Sequence, residues 1–155
     1  MTLVSDARSQ TKTYLTTYLR NVQLTKDDDA TQVSFAIIYA NPDYRLTLEF
    51  YAPYDPVDLL YVIGTPNSTP LMDPVTQKPY GYEEHVPIEI VCIDKTGITG
   101  TKLRWKAEAE LRYVTETYPT GSLRSLERMG DNDQNLGSTI LYSAKYILNY
   151  RRDPT

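Results

Sequence analysis

Glu84-His85-Val86-Pro87-Ile88-Glu89-Ile90-Val91-Cys92-Ile93-Asp94 is the stretch that decides the fold. Val86, Ile88, Ile90 and Cys92 alternate with Pro87, Glu89 and Val91, the period of a strand with one apolar face. After Gly97-Ile98-Thr99-Gly100 the period changes. Leu103, Ala107, Leu111, Val114 and Tyr118 predict an amphipathic helix over 99–118. Thr99 or Thr101 caps its start, and Pro119 with Gly121 ends it. Arg104/Glu108, Lys106/Glu110, Glu108/Arg112 and Arg112/Glu116 offer pairs four residues apart on the wet side. Trp105 lies off the stripe, either closing the core edge or anchoring an interface.

Working toward the N-terminus, Leu59 to Thr65 reads as another strand. Residues 31–40 and 44–52 alternate like strands on either side of Asn41-Pro42-Asp43 and predict a hairpin. Residues 3–22, with Leu3, Ala7, Tyr14, Leu15, Tyr18, Leu19 and Val22, predict the first helix. Toward the C-terminus, residues 122–129 and 138–152 read as strands around Gly130-Asp131-Asn132-Asp133-Gln134-Asn135-Leu136-Gly137. The last places Ile140, Tyr142, Ala144, Tyr146, Leu148 and Tyr150 on one side. At about 3.3 Å per residue it exceeds a usual sheet width, so Asn149-Tyr150-Arg151-Arg152-Asp153-Pro154-Thr155 are expected to overhang and dock on another chain through Tyr150, Arg151 and Arg152, or to fray. The class is α+β: a mostly antiparallel sheet with two helices, order α-β-β-β-β-α-β-β, in one domain over 1–155.

Gly64 to Tyr82 shows neither period and holds Pro66, Pro70, Pro74 and Pro79. A long loop over 64–82 is uncommon in a compact domain and is usually functional or disordered. Leu71, Met72, Val75, Tyr80 and Tyr82 make it too apolar for a solvated linker, which favours an arm ordered by a neighbour over a floppy loop. The candidate interface residues are therefore Pro66, Leu71, Met72, Val75, Tyr80, Tyr82, Trp105, Tyr150, Arg151 and Arg152.

The net charge is −4 at pH 7. Residues 21–98 carry four basic against twelve acidic side chains, whereas both flanking segments are net positive. An acidic middle argues against a binder that neutralises phosphates, and suits either a solvated face or oppositely charged faces that meet. No apolar run approaches the roughly 18 residues of a membrane span, and the first residues lack the pattern of a signal peptide. A single cysteine, Cys92, excludes an internal disulfide and suits a chain made in a reducing cytoplasm.

Catalytic motifs are weak. Asp131-x-Asp133-x-Asn135 imitates the start of a calcium loop, but its glycine, Gly137, comes one place late, and Tyr142 stands where a bidentate glutamate belongs. Asp27-Asp28-Asp29 are adjacent and diverge, so a solvated turn explains them better than a cation site. A nucleophilic relay would have to use His85 or Cys92; a histidine at a sheet edge and a buried small thiol are the simpler readings. No enzyme, metal or cofactor is expected. Tyrosine supplies 14 of the aromatic residues, against two Phe and one Trp. Tyr142, Tyr146 and Tyr150 on one strand face suit a base-stacking platform, a subunit contact or a core wall, and the acidic balance favours the last two.

Taken with this element order, the strand Val86-Pro87-Ile88-Glu89-Ile90-Val91, the helix Leu103–Tyr118 and the ending Gly137-Ser138-Thr139-Ile140-Leu141-Tyr142-Ser143-Ala144-Lys145-Tyr146 resemble the tail terminator (tail completion) proteins of tailed bacteriophages. The resemblance implies a structural virion protein assembled in the host cytoplasm. It would form a ring, typically hexameric, that caps the tail tube at the head–tail junction and joins it to the head-side connector. Its partners would be itself, the tail tube protein and a neck protein, with DNA passing through the lumen unbound. Another neck or head-completion role, or a nucleic-acid- or peptide-binding sheet, is the alternative.

Overall fold

The computed structural model describes residues 4–19, 24–40, 57–119, 122–135, 137 and 139–153. The alternating stretch around Ile88 is the spine of the sheet. It belongs to β4, Pro79–Ile93, which pairs antiparallel with β7, Ile140–Arg152, from Tyr82 opposite Arg152 to Ile93 opposite Leu141. The other edge of β4 is shared. Ile88 to Val91 pair with β2, Leu59–Ile63, while Pro79 to His85 pair with β3, Asn67–Met72. β1, Phe35–Tyr39, lies parallel to β2. On the far side β5, Leu123–Asp131, pairs with β7, whose start also takes the short β6, Gln134–Asn135. The seven strands form one sheet in the order β1-β2-β4-β7-β5, with β3 on β4 and β6 on β7.

Two helices cover one face: α1, Val4–Leu19, and α2, Gly100–Thr117. The α+β class with a mostly antiparallel sheet stands as the sequence predicts. Leu103, Ala107, Leu111 and Val114 of α2 are buried with Ala7, Tyr14, Leu15 and Leu19 of α1. They pack on Leu59, Tyr61, Ile63, Val86, Ile88, Ile90, Cys92, Ala144, Tyr146, Leu148 and Tyr150. A smaller cluster of Ala40, Leu60, Val62, Val91 and Leu141 occupies the opposite face. Tyr14 fixes one helix to the other: its hydroxyl donates to the Tyr118 carbonyl at 2.7 Å, just past the end of α2, and at 3.2 Å to the Val114 carbonyl, which also accepts from the Tyr118 amide. Tyr18 stacks on Tyr118 with centroids 4.7 Å apart.

The turn of three aspartates organises the start of α2. Asp27 accepts from the amide and hydroxyl of Thr99, Asp28 closes its own turn through Ala30 and Thr31, and Asp29 meets Lys106 Nζ at 2.9 Å. Thr99 is the N-cap residue, yet its side chain serves Asp27 rather than the helix, and Asp94 Oδ1 accepts from the Gly100 amide instead. Gly100 is required here. A Cβ would stand 2.2 Å from the Tyr142 ring.

Four expectations need correction. The stretch 64–82 is no irregular loop but a β-hairpin: β3 and the first residues of β4 pair from Asn67 opposite His85 to Met72 opposite Pro79. Its prolines occupy places where a strand tolerates a missing amide: before β3, on its outer edge, in the turn, and at the first residue of β4. Because β4 is longer than expected, the end of β7 does not overhang. Arg151 and Arg152 pair with Glu83 and Tyr82, and the Arg151 amide reaches the Ser122 carbonyl at 2.8 Å. His85 lies inside the sheet between Asn67 and Asn149, not at an edge. Lys106 turns to Thr25, Lys26 and Asp29 rather than to Glu110. The expected strand over 44–52, with its hairpin, lies outside the described residues.

Candidate subunit interface

Beyond Tyr82 opposite Arg152, no further pairing with β4 follows among the described residues, and the β3–β4 hairpin continues through Leu71–Gly81 and Met72–Pro79. Its turn is well fixed. Asp73 donates its amide to the Lys78 carbonyl at 3.0 Å, its Oδ1 accepts from the Val75 and Thr76 amides, and its carbonyl accepts from Gln77. Gln77 adopts φ 56°, the left-handed conformation that lets so short a turn close. This internal hydrogen bonding makes the hairpin an arm rather than a slack loop.

The arm presents apolar side chains that its own chain leaves uncovered. Val75 is 88% exposed at the tip, Met72 48% and Tyr80 50%, while Leu71 is half-buried and Pro66 is buried at the foot. Exposed apolar groups gathered on one projection are more informative than the same number scattered singly.

The two terminal arginines anchor the arm. The Arg152 guanidinium lies 4.4 Å from the Tyr82 ring centroid and donates to Glu84 Oε1 at 2.7 Å; Ser68 donates to the same oxygen at 3.3 Å. Arg151 lies over Tyr80 at 5.4 Å. On the opposite face, His85 Nδ1 is 2.6 Å from Asn149 Oδ1 and its Nε2 is 3.1 Å from the Thr69 hydroxyl. Asn149 in turn donates to Ser125 and Glu127.

The structure thus brings Pro66, Leu71, Met72, Val75, Tyr80, Tyr82, Arg151 and Arg152 to one arm and its base. Tyr150 is beside them in sequence but buried in the core, with its hydroxyl 3.5 Å from that of Thr11. Its pKa is raised, chiefly by burial. Trp105 stands apart: the arm leaves one end of β4, whereas α2 begins beside the other, where Gly100 packs on Tyr142 opposite Cys92. At 74% exposed, Trp105 closes no core edge.

Tyr146 and Tyr150 also fix the role of the tyrosine face. Both are buried beneath the helices as a core wall, so neither ring offers a surface for stacking bases. Cys92 Sγ donates to the Gly100 carbonyl at 3.3 Å, and burial pushes its thiol up to about 12. His85 is seven places away on the same strand, hence about 23 Å distant and on the opposite face, so the two form no relay.

Sequence reasoning missed a polar network under α2. Glu108 is buried there, and its Oε1 accepts from Arg128 Nε at 2.6 Å and from the Tyr146 hydroxyl at 2.7 Å. Arg104 contacts Glu108 at 3.6 Å, Asp131 at 3.3 Å, and also Asp133. Of these contacts only Arg104 with Glu108 leaves a trace in sequence spacing. Comparison with protein-family models and with curated proteins found no match.

Proposed function

We propose that this protein is a structural virion component that assembles as a ring at the head–tail junction of a tailed phage. The ring caps the tail tube and joins it to the head-side connector, with six copies as in the family that the sequence resembles. The projecting β3–β4 arm carries this reading. It is stiffened by its own hydrogen bonds yet leaves Met72, Val75 and Tyr80 open, a combination suited to a clasp on a neighbouring subunit. An arm that seats on a different surface of the next copy makes a head-to-tail contact, and repetition of such a contact closes a ring when the rotation permits. The tail tube protein and a neck protein contact its two rims, and DNA passes through the lumen without specific binding.

Burial of Tyr146 and Tyr150 weighs against the nucleic-acid-binding sheet as a second reading. Another neck or head-completion ring would use the same arm. The test is mass in solution followed by negative-stain images. Uniform rings that cap purified tail tubes support the reading. A monomer at every concentration, retarding nucleic acid in a salt-dependent gel shift, overturns it.

A further inference from the structure

A cleft of about 290 Å³ opens where the last two turns of α2 face the start of β5. Arg112, Thr115 and Glu116 form one wall, Arg124, Ser125 and Leu126 the other, and Arg128 with Tyr146 lies between them. The three arginines are not equivalent. Arg128 is committed to Glu108 at 2.6 Å and to Asp131 at 3.4 Å. Arg112 and Arg124 enter no ion pair among the described residues, although Glu108 and Glu116 stand four places on either side of Arg112. Glu108 is turned inward to Arg128 and Tyr146, which leaves Arg112 without it.

We propose that this cleft binds a carboxylate side chain on an acidic segment of another protein chain, with Arg112 and Arg124 as its two ligating cations. Each guanidinium presents five N–H donors in a planar fork that matches a carboxylate. Leu123, Leu126 and Pro119 give the cleft an apolar lining against which the stem of a glutamate packs. The volume lies at the small end of ligand pockets and fits an acidic side chain rather than a nucleotide cofactor. The positive charge of Arg112 already bears on the Tyr146 hydroxyl at the cleft floor.

A nucleic-acid strand is the poorer occupant. Backbone tracking needs a basic stripe, and here two free arginines share the cleft with Glu116 in a chain of net charge −4. The cleft opens beside β5, the last strand in the sheet order, so an approaching chain meets the edge of the sheet rather than its middle. This inference is independent of the ring reading, because it uses neither the arm nor any residue on it.

The experiment follows a fluorescein-labelled hexaglutamate peptide by fluorescence anisotropy with the full-length protein, at low and at physiological salt. The wild type is expected to bind, with affinity falling as salt rises. The double variant Arg112→Ala/Arg124→Ala is expected to bind at least about tenfold more weakly, since both charge-assisted pairs are lost. Lys102→Ala, on the same helix but outside the cleft, leaves binding unchanged. Glu116→Gln binds more tightly, because a competing carboxylate is removed; should the double variant fail to fold, this change alone decides. Four results overturn the proposal. They are no binding by the wild type, equal binding by the double variant, displacement of the peptide by inorganic phosphate as readily as by unlabelled peptide, and tighter arginine-dependent binding of single-stranded DNA.

Discussion

Arg152 reaches across the β4–β7 ladder and donates its Nε to Glu84 Oε1 at 2.7 Å, where the carboxylate is buried. The second carboxylate oxygen, Oε2, has no hydrogen-bond partner among the described residues, so this one guanidinium supplies most of the compensation for a buried charge. The pair also ties the base of the hairpin to the end of the last strand.

Removing the cation should therefore be costly. Arg152→Ala is expected to destabilise by about 3 kcal/mol, the scale for leaving a buried charge unpaired. Replacing both partners by apolar residues, Glu84→Leu with Arg152→Met, should restore stability to within about 1 kcal/mol of the wild type. Urea denaturation measures both. A loss below about 0.5 kcal/mol in the single variant would class the pair with exposed ones.

Gly100→Ala sets two effects against each other. Alanine improves helix propensity by up to about 1 kcal/mol. The new Cβ, however, would meet the Tyr142 ring at 2.2 Å, and moving that ring breaks its 3.1 Å hydrogen bond to Asp94. Overpacking costs about 1–3 kcal/mol, so net destabilisation is expected. Combining it with Tyr142→Val should cost less than the sum of the single changes, measured as a double-mutant cycle by urea denaturation.

Acid should loosen the turn that holds the start of α2. Hydrogen bonds from Thr31 and Ala30 hold the Asp28 carboxyl down at about 2, and those from Thr99 lower Asp27. A folded-state pKa below the unfolded one contributes stability that is present above the unfolded value and is lost as pH falls through the folded value. The window for Asp28 runs from the ordinary aspartate value of 3.8 down to about 2. The melting temperature should fall across that window, and Asp28→Asn should flatten the fall. An identical profile in the variant would show that this carboxylate contributes nothing to acid sensitivity.

How much of this was legible follows from what each residue faces. The alternation of Val86, Ile88, Ile90 and Cys92 and the stripe Leu103, Ala107, Leu111, Val114 report one buried face each, and both elements are found there. The hairpin of Asn67 to Gly81 has solvent on much of both faces, so no apolar period marks it, and its prolines suggest a loop. The parallel pairing of β1 with β2 joins segments far apart in the chain and has no local signal. The apolar and aromatic residues of the arm were readable as out of place. That Arg151 and Arg152 stack on Tyr80 and Tyr82 depends on the register of β4 with β7, which spacing alone does not give.

The clasp is the central claim, and sedimentation velocity of the wild type beside the Met72→Glu/Val75→Glu variant tests it most directly. Both side chains are exposed on the arm, so the fold should survive, with an unchanged circular dichroism spectrum and melting transition. The wild type is expected to sediment as one discrete ring species, and the variant as a folded monomer. A wild type that stays monomeric at every concentration, or a variant that forms the same ring, would contradict the account.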